Sequence, residues 1–135
     1  MRGTNRSDMR TLGFAISLIA GAGLLACGDG AGPEEDTIAD CIAAAGVTGP
    51  AVGIRDFSFT PGTITVEPGT TVTWVNCEGP GVDAHTSTSD EGLWDSDLLS
   101  QGEVFTRRFD DVGEFPYHCV PHPVMQAVIV VEEPA

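Results

Sequence analysis

The chain contains no lysine. Its 135 residues carry six arginines against 20 acidic residues, a formal net charge of −14 with histidine neutral. Arg2, Arg6 and Arg10 lie in the first ten residues beside one acid, Asp8. That leader therefore holds +2 and the remainder −16, with Arg55, Arg107 and Arg108 as its fixed cations. So little positive charge excludes nucleic acid as a partner, because phosphates need a basic footprint. The acidity suits solubility outside the cytoplasm or in salt, and it also suits attraction of a basic partner protein. Long apolar runs are scarce too: Leu12–Ala26 is too short for a comfortable membrane span.

Placed after the leader arginines, that run reads as the h-region of an export signal over residues 1–26. It ends in Leu24-Leu25-Ala26-Cys27-Gly28, which resembles the lipobox of bacterial lipoproteins. Cleavage before Cys27 leaves that thiol lipidated and gives the membrane its one point of contact. Leu25 is a less usual residue at its position, and an uncleaved anchor and a plain signal peptide are the alternatives. Each version exports the protein to the periplasm or the cell surface.

Residues 27–50 read as an acidic tether, Gly28 to Pro33 followed by Glu34-Glu35-Asp36, and then a short helix. Thr37 caps this helix with Asp40 three residues on, Gly46 stops it, and Ile38, Cys41, Ile42 and Ala45 form its apolar face. Residues 51–135 form one domain of short strands separated by turn residues. The expected strands are Val52–Phe59, Thr63–Glu67, Thr70–Asn76, Glu103–Phe109, Glu114–Cys119 and Gln126–Glu133. Pro61-Gly62 and Pro68-Gly69 punctuate the first three. In Thr70–Asn76, Val72 and Trp74 face one way and Thr71 and Thr73 the other, a half-buried pattern. Many short strands with almost no helix predict an all-β fold, a Greek-key β-sandwich with a short N-terminal helical or irregular segment.

The chemistry concentrates in Cys119-Val120-Pro121-His122-Pro123-Val124-Met125. A buried Cys or Met is commonly core filler, and Cys-x-x-His also occurs in zinc sites. Zinc sites are closed by Cys, His or carboxylates, however, and Met fits them poorly. Soft sulfur selects copper, and one Cys with two His and a weak axial Met is the blue-copper set. The loop supplies three of those ligands. For the second His the chain offers His85 and His118. Side chains alternate along a strand, so His118 points away from its neighbour Cys119 unless the strand bulges. His85, in a loop after another strand, has no such difficulty. The expected copper ligands are His85, Cys119, His122 and Met125, holding one ion. With Cys27 assigned to lipid and Cys119 to metal, Cys41 and Cys77 remain, and in an oxidising compartment a leftover pair becomes a disulfide by elimination.

Phe59-x-Pro61, Val66-x-Pro68-Gly69, Val72-x-Trp74-Val75-Asn76, His85-Thr86, Trp94-Asp95-Ser96, Gly102-x-x-Phe105, Phe109 and Gly113-x-Phe115-x-Tyr117-x-Cys119 resemble, in order and spacing, the plastocyanin and azurin group of cupredoxins. The ligand loop is most similar to that of amicyanin, with the same C-x2-H-x2-M spacing and both prolines. The resemblance covers about residues 52 to 133. It implies a type 1 copper site at one end of a β-sandwich, one-electron transfer, and an exposed edge of His122 as the electron port. Two positions depart from the family pattern: Thr86 stands where Asn often follows the first ligand His, and Ala127 where Gly is usual. The connection from Asn76 to His85 matches no pattern.

The expected function is electron transfer between extracytoplasmic redox proteins by a monomer that is not an enzyme. A basic c-type cytochrome is a fitting partner. A copper enzyme needs further metal sites, which three histidines cannot build once two are used. A binuclear copper centre needs a second Cys in the loop. A copper chaperone on the same fold is the alternative.

Overall fold

The computed structural model describes residues 37–135. The expected export signal and the lipidation at Cys27 lie outside the described residues. Helix α1 (Ile38–Ala44) opens on a capping box in which Thr37 and Asp40 each accept the other's backbone N–H. Among the described residues no helix is long and apolar enough to cross a membrane.

Two four-stranded sheets follow. The first contains β1 (Ala51–Arg55), β2 (Ser58–Thr60), β4 (Thr70–Asn76) and β6 (Val104–Phe109), in the order β2-β1-β4-β6. The second contains β3 (Thr63–Val66), β5 (Thr88–Ser89), β7 (Gly113–His118) and β8 (Gln126–Val131), in the order β3-β8-β7-β5. The chain changes sheet after β2, β3, β4, β5 and β6, which makes a β-sandwich. Between β3 and β4 it turns through Pro68-Gly69. Gly69 sits there at φ 86°, and the Thr70 N–H returns to Glu67 O at 3.2 Å, as a turn with Pro then Gly at its centre requires.

Three details differ from the sequence expectation. The run Val52–Phe59 is not one strand: Asp56 and Phe57 form a tight hairpin turn, both at positive φ, and split it into β1 and β2. The Glu78 carboxylate accepts the backbone N–H groups of Asp56 and Phe57, which ends the ladder there. The short β5 has no forerunner in the sequence pattern. Strand β4 is buried on both faces from Val72 to Asn76 rather than on one. Its outer face is covered because Gly53, paired beside Val75, lets α1 sit directly on the sheet; a Cβ at Gly53 would lie 2.3 Å from Ile38 Cγ2.

The core fills the space between the sheets. Val52 and Ile54 of β1, Val72 and Trp74 of β4, Tyr117 of β7 and Ile129 and Val131 of β8 are all essentially inaccessible. Trp74 stands at its centre, with ring centroids 5.6 Å from Tyr117 and Phe105 and 6.1 Å from Trp94. Burying aromatic groups of this size supplies much of a small domain's stability, and here it fixes the sandwich end on which the site is built.

Candidate metal centre

Cys119 directly follows β7. Alternation along that strand sends Tyr117 and Cys119 inward, and both are buried. His118 points outward, where Nδ1 lies 2.5 Å from Asp90 Oδ1 and the side chain is 30% exposed. It takes no part in the site.

His85 comes from the segment between β4 and β5, which an isolated bridge to Leu99 fixes: His85 N–H to Leu99 O at 3.1 Å and Leu99 N–H to His85 O at 2.7 Å. His122 and Met125 come from the loop between β7 and β8. That loop closes on itself, with the Met125 N–H donated to His122 O at 2.9 Å and the Cys119 N–H to Met125 O at 3.1 Å. Prolines on both sides of His122 restrict the backbone that carries it. The Thr86 side chain pins the loop to the neighbouring segment: its hydroxyl oxygen accepts the Val120 N–H at 2.9 Å.

Three ligand-type atoms converge. His85 Nδ1 and His122 Nδ1 each lie 3.7 Å from Cys119 Sγ and 3.2 Å from one another. His85, Cys119 and Met125 are buried, while the His122 side chain is 21% exposed. Among the described residues this is the one group of three or more His, Cys or carboxylate side chains placed to hold an ion. The Thr86 backbone N–H points at Cys119 Sγ from 3.3 Å.

The other ring nitrogen of His85 is held by Glu78, with Nε2 3.0 Å from Oε1. Burial opposes charge on Glu78, but the N–H groups of Phe57 and Asp56 and the His85 ring outweigh it and hold the carboxyl below the usual carboxylate range. A charged carboxylate there keeps the proton on Nε2 and leaves the Nδ1 lone pair facing inward. His122 Nε2 similarly faces Asp83 Oδ2 at 3.5 Å. Two imidazole nitrogens 3.2 Å apart beside the Cys119 sulfur form a donor set that a bound cation would hold together. The donor set of two imidazoles and a thiolate, with the Met125 thioether on the same loop, fits copper by softness.

Of the other residues singled out in the sequence, Cys41 and Cys77 are joined by a disulfide that ties α1 to the end of β4. Sequence reasoning missed Glu78, Phe57 and Asp83. Glu78 lies in the connection that matched no pattern, and no spacing rule marks a carboxylate seven residues before a histidine. Phe57 was hidden inside an apparent strand. It is 45% exposed, and its ring stands edge-on to both His85 and His122, with centroids at 5.3 and 4.9 Å.

A family profile described as copper binding proteins, plastocyanin/azurin family, matches residues 49–132. The chain is 31% identical over 102 residues to amicyanin from Paracoccus denitrificans, covering 74% of this chain and 76% of that protein. The crystal structure of amicyanin from Paracoccus versutus aligns with a TM-score of 0.56 at 25% identity, over 66% of this chain and 88% of that one. The copper-containing nitrite reductase from Thermus scotoductus aligns with a TM-score of 0.58 at 26% identity, over 65% of this chain and 23% of that one.

Proposed function

This chain belongs to the plastocyanin/azurin family of copper-binding proteins, and from that premise we propose that it is a type 1 copper electron carrier acting between redox proteins outside the cytoplasm. The observation that carries the reading is the convergence of His85 Nδ1, His122 Nδ1 and the buried Cys119 Sγ. Cys119, His85, His122 and Met125 are the residues that would hold the ion, offering a thiolate, two imidazoles and a thioether. Copper held there would supply one-electron redox chemistry.

The chain's own residues supply the rest. Burial of Cys119 keeps water and stray oxidants from the sulfur, and the Thr86 N–H points at it. Glu78 fixes the His85 ring, and the short hydrogen-bonded loop fixes His122, so little moves when the charge at the site changes. The exposed edge of His122 is the port through which an electron enters and leaves. Around it Phe57, Val82, Val120 and Val124 are exposed apolar side chains that give a partner a dry surface to close on. The acidic remainder of the protein favours a cationic partner, such as a basic c-type cytochrome.

An enzymatic reading has less support. The third histidine, His118, is spent on Asp90, leaving no second cluster among the described residues. Copper delivery by a chaperone uses the same ligands and is the reading to exclude. The deciding experiment is the visible spectrum of the copper-loaded chain with and without reductant, together with its self-exchange rate. An intense thiolate-to-copper band that bleaches reversibly, with rapid self-exchange, supports a carrier. Weak colour, or copper lost to a competing chelator on reduction, supports delivery instead.

A further inference from the structure

One carboxylate governs more of this site than the ligand list suggests. Glu78 is 4% exposed and receives three N–H groups: Asp56 N on Oε2 at 3.0 Å, and Phe57 N and His85 Nε2 on Oε1 at 2.9 and 3.0 Å. Its own N–H is donated to Asn76 Oδ1 at 2.9 Å, and Asn76 Nδ2 is donated to Leu99 O at 2.8 Å, the carbonyl that also receives the His85 N–H. The circuit therefore grips His85 at both its ring and its backbone.

The turn held by the same carboxylate is unusual in composition. A two-residue hairpin turn with both central residues at positive φ ordinarily carries Asn-Gly or Asp-Gly, because Cβ crowds the backbone carbonyl there, which Gly avoids and the short polar side chains of Asn and Asp offset by local hydrogen bonds. Here Asp56 has φ 52° and Phe57 φ 54°. Folding alone gives no reason to place a phenylalanine in a left-handed conformation with nearly half its surface in water. Its ring, however, meets the His85 and His122 rings edge-to-face, at interplanar angles of 89° to both. The strained position is the one that sets an aromatic wall against the two imidazoles.

We propose that Glu78 and Phe57 form a positioning device that fixes both imidazoles with Nδ1 inward before metal arrives, Glu78 by orienting His85 and anchoring the turn, Phe57 by restraining the exposed ring of His122. This rests on the copper reading for its purpose, but the geometry it asserts belongs to the metal-free protein and is tested there. Neither residue is a ligand.

The test is histidine nitrogen–proton correlation NMR of the metal-free full chain at a single neutral pH, followed by Cu(II) affinity measured by chelator competition. Wild type should show His85 as one tautomer, protonated on Nε2, and one sharp set of signals for His122. Glu78→Ala should mix the His85 tautomers and broaden His122. The paired change Asp56→Asn with Phe57→Gly relaxes the turn and removes the ring; it should keep the His85 tautomer while broadening His122 alone. Phe57→Tyr, which retains the ring edge, should restore wild-type signals. Partners of this kind typically govern affinity by about 10–100-fold, so both disruptive variants should bind Cu(II) at least about tenfold more weakly. Unchanged His122 signals in the Asn-Gly protein would overturn the role of Phe57, and an unchanged His85 tautomer in folded Glu78→Ala that of Glu78. If Glu78→Ala does not fold, Glu78→Asp, whose carboxylate is one methylene too short to reach the turn and the His85 ring together, takes its place and is read in the same way. A chain with the expected NMR behaviour but no blue colour would defeat the carrier reading and leave the device standing.

Discussion

Thr86 reaches the thiol of Cys119 with its backbone and the loop beyond it with its side chain: its N–H lies 3.3 Å from Cys119 Sγ, and its hydroxyl accepts the Val120 N–H at 2.9 Å. The hydroxyl also pairs with Thr88 Oγ1 at 2.8 Å. Thr86→Val keeps the first contact and removes the others, orphaning a partly buried N–H. The expected cost is about 1–3 kcal/mol, read by denaturant unfolding of the metal-free chain. The colour of the copper form should persist. A variant as stable as wild type would mean that Val120 finds water instead.

Ligand assignment is tested by substitution and the visible spectrum. Cys119→Ser should abolish the thiolate charge-transfer band, and His85→Ala should weaken or remove it. His118→Ala should leave the band intact, since that ring faces Asp90. Bleaching by His118→Ala with survival of colour in His85→Ala would reverse the assignment of the first histidine.

Tyr117 gives an optical handle on the core. It is the one tyrosine of the chain and 1% exposed, and burial pushes its phenol well above the ordinary range. A folded pKa raised above the unfolded value near ~10 means stability is whole below about pH 10 and is lost as pH rises further. With no lysine to titrate in the same range, phenolate absorbance should appear only as the fold opens, in step with the loss of circular dichroism. Tyr117→Phe, which removes the titrating hydroxyl and keeps the buried ring, should remain folded at higher pH. Phenolate forming while the fold stays intact would show that the ring is reachable by hydroxide.

The Cys41–Cys77 disulfide closes a separation of 36 residues. Mass spectrometry of the oxidised protein should find it two hydrogens lighter than the reduced form, with Cys119 as the free thiol among Cys41, Cys77 and Cys119. Its reduction should cost about 2–5 kcal/mol of stability. Equal unfolding midpoints with and without reductant would mean that the cross-link contributes nothing to the domain's stability.

Docking by charge should show in ionic strength. Raising it from about 0.01 to about 0.1 M shortens the screening length from about 30 to about 10 Å. Bimolecular electron exchange with a cationic cytochrome should slow over that range. A flat rate would leave the acidity to solubility alone.

Much of this was legible in the sequence because it follows short-range rules. Proline–glycine turns, the alternation of Tyr117, His118 and Cys119, and the Thr37–Asp40 cap are local, and each carries its consequence within a few residues. The loop from Cys119 to Met125 is equally local, which is why three donors could be named together. Glu78 and Phe57 escaped because their roles exist only in space: Glu78 meets partners 21 and 22 residues earlier in the chain and 7 later. The burial of Val75 escaped for a similar reason, since it depends on a helix landing over Gly53.

The cross-link between Cys41 and Cys77 also fixes how the protein bears a load. Tension applied to the chain ahead of Thr37 passes along the first turn of α1 to Cys41 and then through the sulfur bridge into the end of β4. The backbone between Cys41 and β1 lies parallel to this shortcut and stays slack. Strand β1, which a pull from the N-terminus would otherwise peel from β4, is thereby shielded. The force arrives instead one residue from Glu78, on the side of the fold that holds His85.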